Sequence, residues 1–97
     1  VPVSEIQEGI KHGVRKVNVD TDLRLAATAA VRKYFHENPS QFDPRKYLQL
    51  SKDAMKEVVK NRLQEFGTAG NASSINSLSL GEMATKYKSG DFKAVIN

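Results

Sequence analysis

Asn18, Asp20 and Thr21 crowd into the stretch Lys16-Val17-Asn18-Val19-Asp20-Thr21-Asp22-Leu23. The stretch reads as a short β-strand that ends on polar residues and turns at once into a helix. Val14, Lys16 (through its stem), Val17 and Val19 supply β-branched and apolar bulk. Asp20, Thr21 and Asp22 are all good N-cap residues, so the helix can start at any of them. The first N–H groups of a helix lack intrahelical partners, and the helix dipole adds roughly half a positive charge there. With the side-chain donors of Asn18 and Thr21 beside them, they suit a phosphate or a polar oxyanion. A plainer reading stands next to this one: Asp20 and Asp22 as ordinary caps, each worth about 1 kcal/mol against alanine, and Asn18 as a turn residue. Two carboxylates repel a phosphate unless they point away. The spacing Asp20-x-Asp22 also resembles a metal-binding pair, a pattern common by chance.

Other groups are weaker candidates. His12 and His36 each fall in the last turn of a predicted helix, where a histidine suits the negative end of the dipole. Neither has a partner at metal-ligand spacing. Arg45 follows Asp43-Pro44 in the first turn of a helix, where the dipole disfavours a cation, and a surface pair with Asp43 or Glu37 would explain it. The loop Gly67-Thr68-Ala69-Gly70-Asn71-Ala72-Ser73-Ser74 could cradle a phosphate, but no strand precedes it, so it reads as a flexible connector.

The elements that must position these residues can be placed from pattern and punctuation. A first helix spans about 4–12, with Ser4 and Gln7 at capping-box spacing and Gly13 ending it through a positive φ. The strand covers about 14–19. A second helix runs over about 22–37, with Leu23, Ala27, Ala30, Val31 and Tyr34 at helical spacing, and Asn38-Pro39 stops it. Asp43-Pro44 starts the longest helix, about 44–66, whose apolar stripe is Tyr47, Leu48, Met55, Val58, Val59, Leu63 and Phe66. Ser79 and Glu82 form a second capping-box pattern at the head of a helix over about 79–88. Ser89-Gly90 closes it, and a weakly ordered tail follows.

Composition narrows the class. The 97 residues hold no cysteine, so there is no disulfide framework, thiolate nucleophile or zinc-thiolate site, which fits a reducing compartment and a cytoplasmic location. No apolar run approaches a membrane span. The start at Val1-Pro2, without an initiator methionine, suggests a trimmed or partial chain. Fifteen basic residues against eleven acidic give +4, but Lys52, Lys56 and Lys60 alternate with Asp53, Glu57 and Glu65. That interspersion marks a solvated face rather than a nucleic-acid surface.

One strand among several helices cannot satisfy its own backbone groups. It must pair with strands elsewhere, and the order helix, strand, helix is that of βα repeats. The expected fold class is therefore α/β: the closing βα end of a TIM (β/α)8 barrel plus C-terminal helices, incomplete on its own, since such barrels need ~250 residues.

The run from His12 through Ala26 resembles the end of the class II, metal-dependent fructose-bisphosphate aldolases. The resemblance continues through Asn38-Pro39-Ser40-Gln41-Phe42-Asp43-Pro44-Arg45-Lys46-Tyr47-Leu48 and through Phe66-Gly67-Thr68-Ala69-Gly70-Asn71-Ala72-Ser73. It spans nearly the whole chain and matches only the C-terminal portion of the family.

It implies a reversible aldol cleavage of fructose 1,6-bisphosphate to dihydroxyacetone phosphate and glyceraldehyde 3-phosphate. By the match, Asn18 contacts the substrate near the enediolate, while Asp20 and Thr21 shape the phosphate pocket. Arg45 holds the second phosphate, typically from a neighbouring subunit. Related tagatose-bisphosphate aldolases tend to carry Ala-Thr-Glu where this chain has Asp20-Thr21-Asp22, which favours fructose. The resemblance also implies a Zn2+ cofactor whose histidine ligands, with the general acid/base and the glycine-serine phosphate loop, belong to earlier strands outside this chain. The expected partners are these sugar phosphates, the rest of the barrel and further copies in a homo-oligomer, with no nucleic acid and no membrane. Alone, the chain is expected to be inactive. The alternatives are a basic helical module for anionic partners, a tagatose-bisphosphate aldolase segment, or an anion-binding fragment completed by another chain.

Overall fold

The computed structural model describes residues 1–92; the expected weakly ordered tail from residue 93 onward lies outside them. Four α-helices follow one another: α1 (Val3–Lys11), α2 (Thr21–Glu37), α3 (Pro44–Glu65) and α4 (Leu80–Ser89). Each begins and ends within one residue of its predicted span. The loop before α4, predicted as a connector, also holds a 3-10 turn at Ala72–Ser74.

The helix ends are built largely as the residue types require. Gly13 takes φ +107° after α1. Its N–H donates to the carbonyl of Ile10, and the N–H of Val14 donates to that of Gly9 at 3.0 Å. Gly67, at φ +75°, ends α3 in the same way, with Gly67 bonded to Gln64 and Thr68 to Leu63. Both are Schellman ends, which need a residue free to enter the left-handed region. Asn38 closes α2, its side-chain amide donating to the carbonyl of Tyr34 at 3.1 Å. Ser79 and Glu82 form the expected capping box on α4. The Ser4–Gln7 box does not form. The helix starts one residue earlier, at Val3, with Pro2 as N-cap, which puts Ser4 inside the first turn. The Gln7 amide instead donates to the backbone carbonyl of Glu65 at the end of α3.

The strand expected at about 14–19 is absent: among the described residues there is no strand, and residues 14–20 are neither helical nor paired. The side-chain pattern is strand-like, but a ladder needs a neighbour, and no other described segment offers one. Instead the segment runs past α1 and the end of α3. Val14 packs close to Gly9, where an added Cβ would meet a Val14 methyl at 3.3 Å.

α2 and α3 form an antiparallel hairpin. Phe35 meets Tyr47 near the turn, with ring centroids 4.9 Å apart, and Asp22 meets Arg62 at the far end. The half-buried positions of α3 are Tyr47, Ser51, Ala54, Val58, Arg62 and Glu65, a spacing of threes and fours that makes one narrow seam. Small residues are half-buried on both helices, Ala26, Ala27 and Ala30 on α2 and Ser51 and Ala54 on α3, and small side chains let helices approach. Only part of the predicted α3 stripe lies on that seam. Leu48, Met55, Val59 and Leu63 are exposed, because they wind onto a neighbouring face that α2 does not cover.

No described residue is fully buried. The accessible surface is 8409 Å², against about 5,500 Å² for a folded monomer of this mass. The radius of gyration is 20.0 Å, where a compact domain of this length has about 13 Å. The described residues therefore form no closed core. Among the described residues, no helix is long and apolar enough to cross a membrane.

Candidate functional site

Val14 and residues 16–20 line an open groove of about 660 Å³. Asn18, Asp20 and Thr21 all line it, together with Ile6 and Gly9 of α1, Arg62 of α3 and Phe66 just past its end. Three of the four predicted site residues are thus brought together.

Asp20 occupies the N-cap position of α2 but does not cap it. Its backbone lies at φ −135°, ψ −59° and its side chain makes no capping bond, whereas a capping residue normally adopts the extended region. The carboxylate instead accepts from Arg24 Nε at 3.0 Å. Asp22, the second helical residue, does not cap either: its Oδ2 pairs with Arg62 Nη2 at 3.1 Å. The ordinary-cap reading of these two aspartates is corrected by these contacts. Among the described residues no side chain caps the start of α2, so its first-turn N–H groups stay open beside Thr21 and Asn18. Both nearby carboxylates pair with arginines, which offsets part of the repulsion they would exert on a phosphate.

Arg45 lies elsewhere. Its guanidinium forks onto Asp43, with Nη2 to Oδ2 at 2.9 Å and Nε to Oδ1 at 3.1 Å, and is 91% exposed. Asp43 also accepts from the Arg45 backbone N–H at 3.0 Å, capping α3. The Arg45 side-chain hydrogen bonds, then its backbone N–H, hold the Asp43 carboxyl below the usual carboxylate value, and the Arg45 pKa is raised in return. Of the two surface partners expected, Asp43 and Glu37, the pair forms with Asp43. Arg45 and Arg62, which reaches Asp22, are 17 residues apart on one helix, hence about 25 Å. One copy of the chain cannot close Arg45 onto the groove.

His12 sits 3.1 Å from Glu8 on the surface, and His36 is exposed in the last turn of α2. Among the described residues, no group of three or more His, Cys, Asp or Glu side chains could hold a metal ion. Asp20 and Asp22 turn to different arginines. In the Gly67–Ser74 loop, the Asn71 amide donates to the carbonyls of Gly67, Thr68 and Ala69. Those bonds brace the loop's own backbone.

Sequence reasoning missed Arg62. It lines the groove with Asn18 and Thr21, is only a quarter exposed, and pairs with both Asp22 and Glu65. The available signal was its place near the end of α3, within a turn of Phe66. Nothing in the linear order connects it to Asp22, forty residues earlier.

A family model described as fructose-bisphosphate aldolase, class II, matches residues 1–71. Named relatives agree. A fructose-bisphosphate aldolase of Pseudomonas aeruginosa is 54% identical over 97 residues, covering 100% of this chain and 27% of that protein. One from Stutzerimonas stutzeri is 56% identical with the same coverage. A fructose-bisphosphate aldolase class 2 of Synechocystis sp. is 55% identical over 94 residues, 97% of this chain and 26% of its own length. The chain belongs to the class II fructose-bisphosphate aldolase family. It spans about a quarter of the length of these relatives and corresponds to a C-terminal portion of them.

Proposed function

We propose that the chain is the closing βα segment of a TIM barrel in a zinc-dependent fructose-1,6-bisphosphate aldolase. In this reading the enzyme is a cytoplasmic homo-oligomer, and this segment grips the substrate while residues outside it hold the metal. The observation that carries the proposal is the uncapped start of α2, open to the groove beside Asn18 and Thr21. Four further features support it: family membership, the unpaired strand-like segment, the exposed apolar face of α3 and the surplus of accessible surface.

The chemistry assigned to this segment is binding and charge stabilisation. First-turn N–H groups of α2 and the Thr21 hydroxyl donate to the phosphate oxygens of dihydroxyacetone phosphate. The Asn18 amide donates to substrate oxygen near the enediolate, where negative charge grows as the carbon–carbon bond breaks. Asp20, tied to Arg24, shapes the pocket wall. Arg45, about 25 Å away along α3, serves the second phosphate of a site on a neighbouring protomer. Its guanidinium fork leaves Asp43 for paired phosphate oxygens or bridges the two.

The test is kinetic, on the full-length enzyme. Asn18→Ala lowers kcat as well as affinity, because the contact strengthens in the transition state. Thr21→Val mainly raises KM for dihydroxyacetone phosphate. A kcat/KM within about twofold of the parent for Asn18→Ala would remove its assigned role.

A further inference from the structure

We infer that Arg62 is a positioning residue for the first turn of α2, acting through the Asp22 carboxylate. This rests on the reading of that turn as the phosphate site. Among the described residues, Arg62–Asp22 is the one ion pair that joins two different helices. Its guanidinium is also the least exposed cation in any ion pair, at 25% against 72% or more for the others. A long side chain already sheltered loses less freedom on pairing than one waving in solvent.

The anchorage continues behind it. Arg62 Nη1 lies 3.2 Å from Glu65 Oε2, and the Glu65 carbonyl accepts from Gln7 of α1 at 2.9 Å. Arg62 therefore stands at a junction of α1, α2 and α3, with one nitrogen fixed to its own helix and the other reaching across. What it reaches is the residue next to Thr21. Among the described residues no side chain caps the start of α2, so the orientation of its open N–H groups depends on what holds its first turn from outside. The pair with Asp22 does that. Both terminal nitrogens of Arg62 are already engaged by carboxylates, and the Asp22 hydrogen bond foremost raises its pKa. This geometry suits a strut rather than a direct phosphate ligand.

A double-mutant cycle on the full-length enzyme separates the two roles, with inorganic phosphate and dihydroxyacetone phosphate as probes. Arg62→Ala should weaken phosphate binding and raise KM by roughly fivefold or more, with kcat held within about twofold. Arg62→Lys should recover part of the loss. In an Asp22→Ala background, Arg62→Ala should have almost no further effect, because the strut is already gone. A strut with no bearing on phosphate would move Tm and leave phosphate binding unchanged, which overturns the inference. So does an undiminished loss in the Asp22→Ala background, which would mean that Arg62 contacts the anion directly. If Arg62→Ala does not fold, Arg62→Lys takes its place in the same cycle. Thr21→Val is the control for the underlying reading: if it leaves phosphate binding intact, the site itself is wrong. If it weakens binding while the Arg62–Asp22 cycle shows no coupling, only the strut is wrong.

Discussion

α2 and α3 both begin immediately after an aspartate, and the two aspartates do opposite things. Asp43 takes extended backbone angles, caps α3 through the Arg45 N–H and receives the Arg45 fork. With Pro44 next, the first helical position has no N–H to satisfy. That helix start is closed. Asp20 sits at φ −135°, ψ −59° and turns its carboxylate to Arg24, while Asp22 turns to Arg62. That helix start is open. The same residue type seals one helix and leaves another free, and the deciding factors are the backbone angle at the cap and the nearest guanidinium. The open end lies in the groove. The sealed end carries its arginine on the surface, where another molecule can reach it.

The largest expected effect comes from removing what surrounds both ends. With no fully buried residue among those described and half as much surface again as a folded monomer of its mass, the isolated 97-residue chain should aggregate or pack loosely. Calorimetry with analytical ultracentrifugation checks this. A cooperative, two-state transition from a monomer would show that the chain holds its open end without outside support.

Next in size is the exchange of Arg45. In the full-length enzyme, Arg45→Ala should lower kcat/KM for fructose 1,6-bisphosphate by about tenfold or more, the scale of a charge-assisted hydrogen bond left unmade. It should leave fructose 1-phosphate nearly untouched. Arg45→Lys should recover part, since an ammonium lacks the planar fork. Equal losses on both sugars would reduce Arg45 to a surface partner of Asp43 and end the functional contrast between the two helix starts.

A smaller effect tests the capping contrast directly. Asp43→Ala should lower the Tm of the full-length enzyme, whereas Asp20→Ala should lower it less, because only Asp43 holds an N–H of its helix. Thermal melts of the two variants side by side give the answer; an equal shift would mean that Asp20 caps α2 after all.

The smallest effect is a titration. Asp43 is held below its ordinary 3.8 by the Arg45 side chain and backbone N–H. A depressed native value means that the stabilisation is complete above the unfolded carboxylate pKa and disappears as pH falls through the native one. The cap should therefore persist at neutral and mildly acidic pH and fail only in strong acid. Carboxyl NMR of Asp43 follows this, and Arg45→Ala should move its titration upward.

Where the determinants are local, the chain order was enough. Asn38-Pro39, Asp43-Pro44, Gly13 and Gly67 set helix ends because their backbone preferences act within a few residues, and each helix falls within one residue of its expected span. The clustering of Asn18, Asp20 and Thr21 was legible for the same reason, as was the resemblance that runs across the chain. Ser4–Gln7 misled because a box pattern does not say where a helix begins, and Gln7 found a better acceptor in Glu65. Tertiary structure alone decided the rest. Val14, Val17 and Val19 have the composition of a strand, yet a strand exists only with a partner, and the described chain supplies none. Which carboxylate caps and which pairs with an arginine depended on backbone angles and on Arg62, forty residues from Asp22. That Arg62, and not Arg45, stands at the groove followed from the antiparallel seam of α2 and α3, which sets Asp22 beside Arg62. Such contacts join residues far apart in sequence, and no local preference encodes them.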